Sequence, residues 1–253
     1  MNRLEELFAK KKKNILSVFY TAGFPAFEST VSIAQNLEAD FMEIGIPFSD
    51  PVADGPVIQE SNSIALNNGM TLVKLLEQVR QIRETVSVPI VLMGYLNPVM
   101  QYGVENFCRD ASQAGADGVI LPDLPAAEYE KNYRALFSAC HLSFPLLISP
   151  TTSDERIRKI DSLSSGFIYA VSSSSTTGLK KEFSAEQVSY FERLQRMGLK
   201  NPIMFGFGIS NASTFAAACQ YGAGAIVGSA FIKLIKQTAS PTEISNWVKA
   251  LRN

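Results

Sequence analysis

The sequence predicts an α/β fold, a single (β/α)₈ TIM barrel with an extra N-terminal helix, from its length, its eight short apolar runs and the helical periodicity between them. The chain has 253 residues, close to the ~250 typical of one such barrel. Its apolar runs span residues 15–20, 41–44, 89–93, 118–121, 144–148, 167–171, 203–205 and 225–227. Each is almost continuously apolar, as in parallel strands covered on both faces and unlike half-exposed antiparallel ones. Strands alternating with helices imply a parallel sheet, and eight units in this length favour a closed barrel over an open sheet. No proline-rich or polar linker divides the chain, so residues 1–253 are read as one domain.

Taken in order, residues 1–9 read as a charged amphipathic helix with Leu4, Leu7 and Phe8 on one face. The basic run from Lys10 to Lys13, ahead of the apolar stretch 15–22, has the charge pattern of a secretory signal. The helix in front of it and the lack of a small-residue cleavage site argue against that reading. Between the second and third runs, Leu72, Leu75, Leu76, Val79 and Ile82 recur at helical spacing after Thr71, a suitable N-cap. The segments Gln113-Ala114-Gly115-Ala116-Asp117-Gly118 and Gln220-Tyr221-Gly222-Ala223-Gly224-Ala225 echo each other at helix exits. Gly115 and Gly222 are expected there as left-handed C-caps. No run reaches the ~18 apolar residues of a membrane span.

Apolar residues make up 46% of the chain and charged residues 19%, which excludes a disordered or charge-driven chain. A net charge of −1 without a basic stripe or acidic tail points away from nucleic acid and towards a small substrate. Cys108, Cys140 and Cys219 are scattered and lack C-x-x-C spacing. They are read as packing residues in a reducing, cytoplasmic setting, with neither disulfides nor a zinc site.

In a barrel of this kind, chemistry sits on the loops after the carboxyl ends of the strands. The seventh run leads into Gly206-Phe207-Gly208-Ile209-Ser210 and the eighth into Gly228-Ser229-Ala230. Glycines admit close backbone approach, and a helix N-terminus favours negative charge, so these loops are read as a phosphate seat. Turn formation and capping would also account for them. Thr176-Thr177-Gly178, after the sixth run, is a third candidate contributor.

Glu43 is the one charged residue inside the second run, Phe41-Met42-Glu43-Ile44. Without a cationic partner its carboxyl would hold a proton near neutrality and serve as a general acid. A structural Lys or Arg would instead neutralise it. Asp50 and Asp54 lie in the following loop and Asp123 ends the fourth run. All three suit the catalytic face, but Asp before Gly or Pro is a common turn former and helix capping would explain Asp123, so taken in isolation the turn or cap reading comes first. His141, the only histidine, precedes the fifth run on the stability face, so it is left out of catalysis, and no histidine-centred metal cluster or triad is expected.

The segment Glu43-Ile44-Gly45-Ile46-Pro47-Phe48-Ser49-Asp50-Pro51-Val52-Ala53-Asp54-Gly55-Pro56-Val57-Ile58-Gln59 resembles the signature of tryptophan synthase α subunits. The likeness continues through Thr21-Ala22-Gly23-Phe24-Pro25, Tyr95-Leu96-Asn97-Pro98, Leu121-Pro122-Asp123-Leu124-Pro125, Thr177-Gly178, Gly206-Phe207-Gly208-Ile209-Ser210 and Gly228-Ser229-Ala230. It implies retro-aldol cleavage of indole-3-glycerol phosphate, with Glu43 as general acid and base and Asp54 binding the indole N–H. It further implies an indole pocket of Phe19, Tyr95, Ile120, Ile148, Tyr169 and Phe207, with Thr177 in a closing loop that meets Asp54. Gly178, Gly208, Gly228 and Ser229 would hold the phosphate, and no metal or organic cofactor would be needed in this chain. The implied partner is a β subunit carrying pyridoxal phosphate in an α-β-β-α complex, which takes indole through a tunnel and faces residues 47–51, including Asp50 and Pro51, with Asn97 and Pro98. One departure stands out: Ser172-Ser173-Ser174-Ser175-Thr176 occupies the place where many members carry an arginine and a glycine. That bears on loop closure rather than on the chemistry at Glu43.

Competing readings are another phosphate-binding barrel, such as indole-glycerol-phosphate synthase or phosphoribosylanthranilate isomerase, and a catalytically silent barrel that only activates a partner. The synthase relies on mouth lysines, and none of the strand runs contains one. A pure scaffold has no use for a carboxylate in an apolar strand.

Overall fold

The computed structural model describes residues 1–171, 183–206, 208–238 and 240–253. Eight strands form one parallel sheet: β1 (Ile15–Thr21), β2 (Phe41–Gly45), β3 (Ile90–Met93), β4 (Gly118–Ile120), β5 (Leu146–Ile148), β6 (Ile168–Val171), β7 (Ile203–Gly206) and β8 (Gly224–Val227). Their order is β4-β3-β2-β1-β8-β7-β6-β5, with helices between them. Gly118 of β4 makes an isolated parallel bridge to Ser143, three residues ahead of β5, which brings the sheet round towards a closed barrel.

Because successive side chains on a strand point to opposite faces, the buried residues separate into two clusters. Ile15, Phe19, Phe41, Val91, Ile120, Phe167, Tyr169, Met204 and Ile226 fill the interior. The alternate residues, among them Leu16, Val18, Met42, Ile44, Leu92, Ile168, Phe205 and Val227, pack outward with the helices.

The N-terminal helix α1 (Arg3–Lys10) plugs the amino-terminal end of the barrel. Asn2 and Glu5 form a reciprocal capping box that starts it. Leu4 and Phe8 join the interior cluster, with the Phe8 ring 6.1 Å from that of Phe41 and 5.6 Å from that of Phe167. The Asn2 side-chain amide also donates to the Asp117 and His141 carbonyls and to Ser143 Oγ, all at 2.9 Å. It thereby ties the plug across the β4–β5 seam. His141, exposed and with φ of 57°, contributes its backbone there and not its ring.

Lysines 11 to 13 are absorbed locally: Lys11 pairs with Asp40, Lys12 donates to the Phe8 carbonyl, and Lys13 donates to the carbonyls of Cys219 and Gln220. Lysines on the last carbonyls of helices are favourable partners for the helix dipole. Thr71 caps the helix Leu72–Arg83 by accepting from the Lys74 N–H. Gly115 is left-handed as expected, with φ of 99°. Gly222 corrects the matching expectation, because its backbone is extended (φ −127°, ψ −171°). Glycine is required there for space: a Cβ would lie 2.7 Å from the Ile203 carbonyl oxygen and from the Phe205 ring.

Buried Asp117 unites four segments at this end. It pairs with Arg83 and Arg3 and accepts the backbone N–H groups of Arg3 and Ile90. Arg83 is only 10% exposed, so Asp117→Ala leaves a buried cation without its anion and is expected to cost ~3–5 kcal/mol. Urea unfolding measures this; a loss below ~1 kcal/mol would mean that the surrounding backbone contacts suffice to hold the seam.

Candidate active site

Glu43 lies on the inward face of β2, in register with Phe19 of β1 and Val91 of β3. It is fully buried. Ser17 Oγ donates to Oε1 at 3.2 Å, and Oε2 has no hydrogen-bond partner among the described residues. No ion pair of the described residues reaches it, so the reading of a glutamate neutralised by Lys or Arg does not hold among them. Burial pushes the carboxyl up to about 8, with the Ser17 hydrogen bond pulling the other way.

Asp54 hangs over this interior from the loop after β2. The Tyr95 hydroxyl donates to Asp54 Oδ2 at 2.9 Å while accepting the Ala53 N–H at 3.0 Å. Tyr95 is therefore more than a pocket wall: it grips the loop that carries the aspartate, and its ring lies 5.3 Å from that of Phe48. Burial raises the Asp54 carboxyl, and the Tyr95 hydrogen bond opposes the shift. Tyr169, inward on β6, stays a neutral phenol because it is buried and because it feels the negative charge of both Glu43 and Asp54. The two carboxyls and Tyr169 thus form one electrostatic cluster.

Phe19, Ile120 and Tyr169 belong to the interior cluster, and Tyr95 is buried beside Asp54. Ile148 differs from the sequence expectation: its side chain joins the outer cluster, and Leu147 is the β5 residue packed against the interior. A strand of three residues offers too little alternation to fix its parity from sequence. Thr177, Gly178 and Phe207, with the departure at 172–176, lie outside the described residues.

At the two loops expected to seat phosphate, the helix N-termini differ. Asn211 forms a capping box with Thr214 at the start of Ala212–Tyr221, and the Ser210 N–H also donates to Thr214 Oγ1. By contrast, the N-cap of Ser229–Gln237 is Gly228, and among the described residues no side-chain cap is formed there. Its first-turn N–H groups have no intrahelical acceptor, which makes it the better anion seat of the two. Exposed Gly208 has φ of +77° and Ser229 is exposed beside half-buried Gly228.

Asp123 resolves to a cap, although not of its own helix. Its carboxylate accepts the Leu96 N–H, at 2.9 and 3.0 Å, at the start of Leu96–Tyr102 and next to Tyr95. Among the residues expected at a partner surface, Asp50 and Asn97 are exposed, Pro98 is half-buried, and Pro47 and Pro51 are buried. Exposed Val52 and Met100 adjoin them and went unnoticed in the sequence. Ser17 also escaped that reading, although a lone hydroxyl in Ile15-Leu16-Ser17-Val18-Phe19, sharing the parity of Phe19, marks an inward polar group.

A tryptophan synthase alpha chain family model matches residues 5–251. A tryptophan synthase alpha chain of Parabacteroides distasonis is 50% identical over 256 residues, covering 100% of both chains. One from Flavobacterium psychrophilum is 51% identical, covering 99% of this chain and 100% of that one. Among solved structures, a tryptophan synthase subunit alpha of Legionella pneumophila superposes with a TM-score of 0.89 at 37% identity, covering 100% and 97% of the two chains. A mutant alpha subunit from Pyrococcus furiosus does so at 0.87 and 36% identity, covering 95% and 98%.

The direction of the Glu43 shift fixes a stability dependence. Between the ordinary value of 4.5 and about 8, the folded chain keeps a proton that the unfolded chain has released, so stability falls as pH rises through this window. Glu43→Gln removes that penalty. The variant should match the parent near pH 4 and exceed it by up to ~5 kcal/mol at pH 8, as measured by urea unfolding; the same offset at both pH values would exclude Glu43 as the titrating group.

Proposed function

The chain belongs to the tryptophan synthase alpha chain family, and on that premise we propose how its own residues perform the family's lyase reaction, cleavage of indole-3-glycerol phosphate to indole and glyceraldehyde 3-phosphate. The observation that carries the proposal is Glu43, a buried carboxyl with no cation beside it among the described residues and a proton affinity raised to about 8.

At neutral pH such a group is chiefly the acid. Glu43 donates its proton to the indole carbon that bears the glyceryl chain, leaving positive charge spread towards the ring nitrogen. Asp54 receives the ring N–H and offsets that charge, in a site whose low polarity strengthens the interaction. Glu43, now a carboxylate, takes the proton of the hydroxyl on the adjoining side-chain carbon. The carbon–carbon bond breaks, its electrons restore the aromatic ring, and the side-chain carbon becomes the aldehyde. The proton given and the proton received balance, so Glu43 ends the cycle as it began.

Phe19, Ile120, Tyr95 and Tyr169 provide the apolar walls, to which we add Leu147, with Ile148 behind the strand. Gly228 and Ser229 hold the phosphate at the start of Ser229–Gln237, with Gly208 approaching it from the loop after β7. Thr177, Gly178 and Phe207 complete the pocket in this proposal. Their support is the sequence resemblance alone.

As an alpha chain, the protein implies a β-subunit partner. We assign that partner the exposed rim of Asp50 and Asn97 with Pro98, and place Pro51 behind it as a rigid support. In the proposal the assembly is α-β-β-α, pyridoxal phosphate belongs to the β subunit, and this chain uses no cofactor. No helix of the described residues is long and apolar enough to cross a membrane, which is compatible with the cytoplasmic placement and single barrel domain (1–253) that complete the proposal.

Indole release from indole-3-glycerol phosphate, assayed with and without a cognate β subunit, tests the assignment. Glu43→Gln should abolish release while leaving glycerol phosphate binding intact; surviving turnover would remove Glu43 from the chemistry. In the parent, kcat/KM should decline as pH rises through about 8. Gly208→Val, forced into a left-handed backbone, should raise KM by ~10-fold or more, and an unaltered KM would relocate the phosphate seat.

A further inference from the structure

We propose that Ser17 is a positioning residue which decides which oxygen of the Glu43 carboxyl carries the exchangeable proton. The inference deepens the reaction assigned above and rests on that reading for its catalytic meaning, although its physical content concerns this chain alone.

Along β1 the residues of inward parity are Ile15, Ser17, Phe19 and Thr21; the Thr21 hydroxyl is engaged with Ser61 Oγ at 2.6 Å, and Ser17 is the polar one that reaches Glu43. In the strand register Ser17 pairs with Phe41, two residues to the amino-terminal side of Glu43, while Phe19 pairs with Glu43 itself. Its hydroxyl therefore reaches the carboxyl from the plugged end of the barrel. Both residues are fully buried, and Ser17 Oγ donates to Oε1 at 3.2 Å. An oxygen that already accepts a hydrogen bond is the carbonyl-like oxygen of a neutral acid, so the acid hydrogen resides on the other. That other oxygen, Oε2, has no partner among the described residues. Ser17 thus leaves the donating O–H for the substrate.

Among the described residues, the other neighbours of Glu43 are apolar or act through charge. Phe19 and Val91, in register on either side, are apolar. Tyr169 from β6 is a neutral phenol, and Asp54, from the loop after β2, acts on that same phenol. Among the described residues, the group whose hydrogen bond favours the ionised form of Glu43 is Ser17.

The test is a pH titration of the Glu43 carboxyl band by infrared difference spectroscopy on the full chain, with Glu43→Gln identifying the band. In the parent the midpoint is expected near about 8. Ser17→Ala should move it up by about one pH unit, the scale of one lost hydrogen bond to a charged group. The alkaline limb of kcat/KM for indole release should move with it, at unchanged KM. Ser17→Cys, close in volume and a weaker donor, should give a smaller shift in the same direction, and it carries the test if the alanine variant does not fold. A midpoint unmoved in a folded variant, with only thermal stability altered, would overturn the proposal. If the band shifts as expected but the parent releases no indole, the functional assignment falls and the role of Ser17 in holding the carboxyl stands.

Discussion

The register of three neighbouring parallel strands, β1, β2 and β3, is the constraint on which the rest of the site depends. It commits Glu43 to the interior, beside Phe19 and Val91 and above Ser17. A slip of one residue would turn Glu43 into the outer helix layer and bring Met42 or Ile44 inward. Interior placement removes water, and loss of water keeps the carboxyl protonated at a pH where an exposed glutamate is ionised. In the proposed reaction the same exclusion would make Asp54 effective, since an aspartate held by Tyr95 in a half-dry cleft would act on developing charge with little screening. Burial of an acid is unfavourable to stability, and the large apolar interior and outer clusters offset it.

Much of this order is legible in the sequence because it rests on local patterns. Eight apolar runs located eight strands to within two residues, since doubly covered parallel strands leave little room for polar letters. Glu43 stood out for the same reason. The motif from Glu43 to Gln59 then suggested a role for Asp54 by resemblance, where its residues alone favoured the turn reading. What escaped depends on contacts between distant segments. Asp123 caps the helix of the preceding unit, 27 residues away in sequence, and no local pattern announces that. Tyr95 gripping Asp54 spans 41 residues and is of the same kind.

Short elements were the second source of error. β5 has three residues, so Ile148 and Leu147 could not be assigned to faces until the neighbouring β6 fixed the parity. Gly222 shows a different limit: glycine at a helix exit most often serves backbone conformation, and here it serves clearance beneath Phe205. The paired segments at Gly115 and Gly222 look alike as text and answer different physical needs. Ser17, finally, is a residue whose parity with Phe19 was visible and whose importance was not, because a serine in a strand gains significance only when its neighbour is a buried acid.

The plug at the barrel's amino-terminal end has a consequence for how the molecule is made. Asn2 reaches the carbonyls of Asp117 and His141 and the hydroxyl of Ser143, partners 115 to 141 residues further along. During synthesis the amphipathic helix that follows Asn2 leaves the ribosome before those residues exist. Leu4 and Phe8 must therefore wait, with their apolar faces uncovered, until more than half of the chain has emerged. Closure of β1 on β8 comes later still. The growing chain thus passes through a long interval in which the apolar face of this helix lacks most of its native partners, the circumstance in which nascent chains depend most on protection from one another.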